Sequence, residues 1–347
     1  MINLFLQTMI LLAATTPIFE GKDVVWGFDF LNQDEMLISE RGGELYYYNI
    51  KTKEKKSLKA PKVKARSQGG LLDVMIYPEA DTTYVYLTYS QPTKDVVTTA
   101  LARAEYKNKS LQNLKTIFSA KVKSDTHKHY GSRLVVKDGY LFMTIGDRGE
   151  RDYAQDLSLH NGKILRLNLD GSVPKDNPYV GQKGILPEIW SYGHRNPQGI
   201  DIDPLSNRIY SVGFGPRGGD ELNFIEPKKN YGWPVITYGR EYWGPKIGEK
   251  KKDGMEQPVV YWTPSISPSG MVFYRGDKVK KWQNQLFLAN LASEHIRRLK
   301  LKDNKVVEQE ELFQDMEERF RHVRNSPDGY LYASTDSGKI LRLEPKK

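Results

Sequence analysis

GYLYASTDSGKILRLEP, from Gly329 to Pro345, sets an aromatic-rich run and an alternating run on either side of a polar Asp-Ser-Gly turn. Leu331 and Ala333 alternate with Tyr332 and Ser334, and Leu341 and Leu343 alternate with Arg342 and Glu344. A period of two places one set of side chains on each face of a strand, so the stretch predicts an antiparallel hairpin. An echo of it stands near the other end of the chain, where ERGGELYYYN (Glu40–Asn49) matches DSGKILRLEP (Asp336–Pro345).

Units of the same kind lie between these two. They are YVYLTYS with TTALARAEY, GYLFMTIGDRG with KILRLNL, RIYSVGFG with ELNFIEP, and QLFLANL with HIRRLKL; with EMLISERGGELYYYNI and the C-terminal unit they make six. Their spacing is that of propeller blades. The expected fold is therefore all-β, a six-bladed β-propeller with four-stranded antiparallel blades, with a large β-sandwich as the competing architecture. Composition agrees: 21 Tyr, 29 Gly and 18 Pro in 347 residues suit short strands and turns, and long helical periodicity is missing. No Pro-rich or Ser-rich linker interrupts the chain, so residues 15–347 are expected to form one domain. In a propeller, loops of different blades meet around the central channel, where polar residues far apart in sequence can share a ligand.

The formal net charge of +9 is spread along the chain and no nucleic-acid reading motif accompanies it, so nucleic acid is not an expected partner. The absence of cysteine excludes disulfides, thiolate nucleophiles and Cys-ligated zinc. MINLFLQTMILLAA (Met1–Ala14) carries an apolar run too short to span a bilayer. It has the length of a signal-peptide core but lacks the usual preceding basic residue, which leaves export and a buried first strand as the two readings.

Five segments could carry chemistry. In SQGGLLD (Ser67–Asp73), Gln68 precedes two glycines that permit a tight turn and leave its amide free to orient a ligand. In HKHYGSRLVV (His127–Val136), His129 stands before a strand, where a histidine can act as a base near neutral pH. In SYGHRNPQGIDIDP (Ser191–Pro204), Arg195 offers a fork of donors to a carboxylate or quinone oxygen and Asn196 adds an amide; the bland alternative pairs Arg195 with Asp201 or Asp203. In RFRHVRNSPDGYLY (Arg319–Tyr332), Arg319 and Arg321 are two apart, a spacing that on a strand directs both to one face. In GPRGGDE (Gly215–Glu221), turn carbonyls and carboxylates fall within a short span, the donor mix that calcium takes; the alternative is a β-bulge with surface carboxylates.

Taken in order, SQGGLLDV, HYGSRLV, IGDRG, GKILRLNLDGSVPKDNP, YGHRNPQG, GPRGGDELN, NYGWPVITYG, PSGMVFY and RHVRNSPDGYLY resemble the soluble aldose sugar dehydrogenases that depend on pyrroloquinoline quinone (PQQ), relatives of the soluble glucose dehydrogenases. The match runs from about Gln68 to Tyr332, with a looser one in the first blade. That family is a six-bladed propeller. The resemblance implies that His129 is the proton acceptor, that Gln68, Arg195 and Asn196 lie against the cofactor, and that Tyr242 is the aromatic beside the quinone. It implies that Arg319 and Arg321 hold the cofactor's carboxylates. It further implies one calcium at PQQ, held by the carbonyls of Gly215 and Pro216, and a second, structural calcium held by Glu221 and the backbone of Tyr231. The expected reaction is oxidation of an aldose at C1 to the lactone, with hydride passing to PQQ and electrons to an external acceptor that the sequence does not identify. Expected with it are a periplasmic or secreted location, no membrane span, and a monomer or homodimer.

Three positions depart from the family pattern. Ala292 stands where a PQQ-contacting lysine is expected, Lys128 where an aspartate often precedes the histidine, and His322 where an acidic residue is common. Ala292 gives a second reading its footing: a calcium-stabilised propeller that binds without turning over. A third, a calcium-dependent lactonase-type hydrolase, would need carboxylates focused on the central cation.

Overall fold

A computed structural model describes residues 14–345. Six four-stranded antiparallel sheets follow one another around a ring. The first holds β2 (Val25–Phe30), β3 (Glu35–Glu40), β4 (Leu45–Asn49) and β5 (Lys55–Leu58). The second holds β6 (Leu71–Glu79), β7 (Thr82–Pro92), β8 (Val97–Lys107) and β9 (Ser110–Ser119). The third holds β10 (Leu134–Lys137), β11 (Tyr140–Ile145), β12 (Lys163–Asn168) and β13 (Ile189–Tyr192). The fourth holds β14 (Pro197–Ile202), β15 (Ile209–Gly213), β16 (Asp220–Phe224) and β17 (Val260–Trp262), and the fifth β18 (Pro268–Phe273), β19 (Leu286–Asn290), β20 (Ile296–Lys302) and β21 (Lys305–Leu312).

The sixth sheet closes the ring. Its inner three strands are β22 (Phe320–Asn325), β23 (Leu331–Thr335) and β24 (Lys339–Glu344), and its outermost strand is β1 (Ala14–Glu20) from the other end of the chain. The two ends pair antiparallel, with Ala14 opposite Glu344 and Glu20 opposite Lys339. Phe19 is buried and packs edge-on against Tyr48 at a centroid distance of 5.1 Å, which ties the closing strand to the first blade. The propeller expectation holds, including the echo between the first and last units. The remainder of the Met1–Ala14 segment lies outside the described residues. Among the described residues no helix is long and apolar enough to cross a membrane.

The innermost strands β2, β6, β10, β14, β18 and β22 surround the channel and pack in that order, β22 returning to β2. Such a strand has one edge facing the channel, and its N–H groups there need acceptors. Neighbouring blades supply them with aspartates: Asp29 on β2 accepts from the N–H of Ile76 on β6, Asp73 on β6 from Leu134 on β10, and Asp201 on β14 from Phe273 on β18, at 2.7, 3.2 and 2.7 Å. The apolar core lies between blades, as in the cluster of Trp282, Phe287, Phe320, Val323 and Leu331 that joins the fifth blade to the sixth.

Candidate active site

Loops that enter the innermost strands, together with loops from the fourth and fifth blades, form a cavity of about 840 Å³ at one mouth of the channel. Gln68, His129, Arg195, Asn196, Gly215, Pro216, Tyr242, Arg319 and Arg321 all line it. Residues spread over 250 positions of sequence are thus gathered on one ligand-sized space, as the propeller geometry requires.

His129 precedes β10 with a left-handed backbone, φ 56°, which turns its ring into the cavity. Its peptide N–H donates to Oε1 of Gln68 at 2.7 Å, so Gln68 fixes the histidine's backbone as well as facing the cavity. Nδ1 of His129 lies 2.7 Å from Oδ1 of Asp147 in the turn after β11. Asp147 also accepts from the indole N–H of Trp233 at 2.8 Å and from the peptide N–H of Gly149 at 2.7 Å. Burial raises the Asp147 pKa, but His129, Arg195 and the Gly149 N–H outweigh it and hold the group below the usual carboxylate range. An ionised carboxylate can only accept, so Nδ1 carries the proton and Nε2 presents a lone pair. Burial pushes the His129 pKa below its ordinary value against the pull of Asp147, and Arg195 and Lys128 push in the same direction as burial.

The same turn braces the loop from behind. Arg148 is fully buried, lies 3.5 Å over the ring of Tyr130, and donates to the carbonyls of Lys128, Thr126 and Val97. Gly146 has no room for a side chain, since a Cβ there would stand 2.1 Å from the carbonyl oxygen of His129. Neither Asp147 nor Arg148 stood out in the sequence. The only signal was the IGDRG turn, whose acidic residue gains meaning once the fold brings it to His129.

Arg319, just before β22, and Arg321, within it, both reach Asp336. Arg319 Nε is 3.0 Å from Oδ2, and Arg321 makes a two-point contact at 2.8 and 3.0 Å. The guanidinium of Arg321 also lies 4.3 Å from the ring of Trp26. Two arginines on one aspartate leave net positive charge at the cavity wall. Arg195 does not pair with Asp201 or Asp203, because Asp201 is engaged by Arg275 at 2.9 and 3.0 Å. Its guanidinium instead donates to the carbonyls of Phe214 and Gly215, at 3.2 and 3.0 Å. Asn196 accepts from the N–H of Gly131 at 3.2 Å.

The Gly215–Gly218 loop is shaped by Asp220, which is buried and accepts from the N–H groups of Gly215, Ile266 and Ser267 and from the Ser265 hydroxyl. Asp220 is a loop anchor. Glu221 and Tyr231 border a separate, much smaller void behind the Gly215 turn, with Asn223 beside them. Glu221 has no cationic partner among the described residues, and burial pushes its pKa up to about 7. Asn223 accepts nothing through Oδ1 although that atom is buried. Glu221 Oε2 accepts from the Asn223 amide at 3.2 Å, and a buried carboxylate lacking a counter-ion beside an unbonded amide oxygen fits a hard cation. Tyr242 stands on the rim of the main cavity, 66% exposed, less enclosed than an aromatic packed beside a ring would be. Of the other histidines, His194 is buried against Tyr231 with stacked rings 4.7 Å apart, and His322 sits in the channel below the cavity beside Asp73. Ala292 is exposed and does not line the cavity, although Leu291 does.

Known proteins resemble this chain in sequence and fold. A family profile described as glucose/sorbosone dehydrogenase matches residues 22–342. The chain is 41% identical over 340 residues to the aldose sugar dehydrogenase YliI of Escherichia coli, covering 93% of this chain and 91% of that protein. The apo-form crystal structure of the soluble aldose sugar dehydrogenase from E. coli superposes with a TM-score of 0.93 at 38% identity, covering 96% of this chain and 99% of the other. The PQQ-bound aldose sugar dehydrogenase of Streptomyces coelicolor gives a TM-score of 0.79 at 26% identity, covering 96% and 98%. With its six blades, its arginine-walled cavity and these likenesses, the chain belongs to the glucose/sorbosone dehydrogenase family.

Proposed function

We propose that the chain oxidises aldose sugars at C1 to the lactone, using PQQ and calcium and passing electrons to an external acceptor. The observation that carries this reading is His129, with Nδ1 fixed by Asp147, set in a cavity lined by five arginines and no carboxylate.

The residues fit the two groups. A quinone bearing several carboxylates needs cationic walls, and Arg195, Arg319 and Arg321 supply them, with the Gln68 and Asn196 amides alongside. The Phe214 and Gly215 carbonyls accept from the Arg195 guanidinium, so a calcium held by the Gly215 and Pro216 carbonyls would use the lone pairs that Arg195 leaves open. The void at Glu221 and Tyr231 would take the second, structural calcium. When bound, PQQ supplies the electrophilic quinone that takes up hydride from C1, and calcium polarises it as a Lewis acid.

The chain's own work is acid–base chemistry and positioning. Nε2 of His129 accepts the proton of the C1 hydroxyl, and Asp147 holds the ring in the required tautomer and stabilises the imidazolium that results. The arginines offset negative charge that develops on the bound quinone. A lactonase-type hydrolase is disfavoured because the cavity wall offers guanidinium groups where that chemistry needs carboxylates. The proposed setting is the periplasm or cell exterior, as a monomer or homodimer.

The test is reconstitution of the purified protein with calcium and PQQ, followed by dye reduction with a panel of aldoses. Turnover that depends on both additions supports the reading. If PQQ produces neither dye reduction, spectral change nor thermal shift, the reading falls.

A further inference from the structure

Of the five arginines that line the cavity, three have work near its wall: Arg319 and Arg321 share Asp336, and Arg195 spans the Phe214 and Gly215 carbonyls. Arg217 and Arg240 stand apart from these. Both are exposed at the mouth, Arg217 in the loop between β15 and β16 and Arg240 in the loop between β16 and β17. Neither forms an ion pair among the described residues. Each guanidinium makes one long hydrogen bond to a backbone carbonyl, Arg217 to Tyr242 at 3.3 Å and Arg240 to Gly244 at 3.4 Å. Most of the donors in both forks are left open.

The carboxylate nearest in sequence is directed elsewhere. Glu241, adjacent to Arg240, is held by Arg151 at 2.6 and 3.3 Å. The rim loop itself is ordered, with Arg240 bridged to Lys246 and the Glu241 N–H bonded to the Pro245 carbonyl at 2.9 Å. The Arg217 contact to Tyr242 joins the two loops, so both guanidinium groups and the Tyr242 ring border one side of the opening. An anion there would meet two unpaired forks and no opposing carboxylate, while an aromatic face is available to a sugar ring.

Resting on the dehydrogenase reading above, we propose that the preferred substrate is an aldose with an anionic group, carboxylate or phosphate, at the end remote from C1, held at the cavity mouth by Arg217 and Arg240. The reacting end then points down to His129 and the charged end stays at the rim.

The test compares glucose, glucuronate and glucose 6-phosphate with the calcium- and PQQ-loaded enzyme at low and high salt, for the wild type and for R217Q, R240Q and R217E. At low salt, kcat/KM for at least one anionic aldose should exceed that for glucose by about tenfold or more, mainly through KM, and the excess should shrink as salt screens the rim. Which anion gains distinguishes a carboxylate from a phosphate preference. Either glutamine variant should cut the anionic-to-neutral ratio, and R217E should invert it. Glucose turned over as efficiently as both anions overturns the proposal and leaves the dehydrogenase reading standing. Loss of turnover with every aldose overturns both. Two controls close other routes: a tenfold weaker PQQ affinity in R217Q or R240Q, read by fluorescence titration, would assign these arginines to the cofactor. An effect confined to KM for ferricyanide, and absent with a cationic phenazine dye, would assign them to the electron acceptor. Either result overturns the proposal.

Discussion

Oδ1 of Asp147 lies 2.7 Å from Nδ1 of His129, although the two residues come from different turns, one before β10 and the other after β11. The aspartate also accepts from Trp233 and Gly149, so it is a fixed acceptor and holds the imidazole in one orientation. Asp147→Asn keeps the shape but offers an N–H where an acceptor is needed. Turnover should fall by about 10²–10⁴-fold, the range seen when a base loses its tautomer-setting partner. Quinone affinity, measured by fluorescence titration, should change much less.

The pH profile follows from the same pair. His129 works as a base only when neutral, and burial holds its pKa below the ordinary 6.5. The acid limb of kcat/KM, which reports the free enzyme, should therefore have its midpoint below 6.5. Activity is lost as pH falls through that value and retained above it. In Asp147→Asn the limb should move lower still, because the carboxylate is the group that raises the histidine's pKa.

Gly146→Ala tests the packing behind the histidine. Its Cβ would fall 2.1 Å from the His129 carbonyl oxygen, so the backbone must shift, and a displacement of about 1 Å at a catalytic group is enough for roughly 10²-fold in rate. The expected result is a large loss of kcat with little change in the far-UV circular dichroism spectrum. Wild-type kcat in this variant would show that the loop is not held by that contact.

Arg321→Lys keeps the charge and removes the fork. Charge-assisted hydrogen bonds contribute about 1.5–3 kcal/mol each, so PQQ affinity should fall by roughly 10- to 100-fold, measured as Kd on the metal-loaded protein. Asp336 would keep Arg319 as a partner through its single Nε contact at 3.0 Å, and some stability should be lost as well.

Calcium removal should lower the melting temperature. At a hundredfold excess over Kd, a cation that binds only the folded chain stabilises it by about 2.7 kcal/mol, which calorimetry with and without chelator would detect. In Glu221→Gln most of that difference should vanish, because the carboxylate that has no cationic partner among the described residues is the group that draws the ion. A chelator effect of wild-type size in Glu221→Gln would place the stabilising cation elsewhere.

Ring closure has its own test in Phe19→Ala. Phe19 is 4% exposed against Tyr46 and Tyr48, and deleting a buried aromatic costs about 3–5 kcal/mol. Urea unfolding should show the loss. A change under 1 kcal/mol would mean that β1 adds little to the closed ring.

Each of the six legible units in the sequence turned out to be the middle pair of a blade, such as β3 with β4 and β23 with β24. Those strands are covered by neighbouring blades and carry the apolar and aromatic runs that pattern reading detects. Outer strands such as KKSL of β5 and KVVEQEEL of β21 are largely exposed and polar and resemble loops in a one-dimensional reading. The inner strands carry channel-facing residues such as Asp73 and Arg321. The site shows a parallel division: His129, Arg195, Arg319 and Arg321 were visible as residue types in telling positions, whereas Asp147 and Asp336 matter only through distances that the fold creates. The rim position of Tyr242 depends on the course of a long loop, which has no periodicity to read.

The pairing of β1 with β24 also sets a schedule. During synthesis at about 5–20 residues per second, Ala14–Glu20 is made long before its partner strand, Lys339–Glu344, so it waits on the order of 15–60 seconds. Until then the nascent chain is an unclosed arc with an unmatched strand at its start. The cell has to shield that strand from other chains for as long as translation lasts.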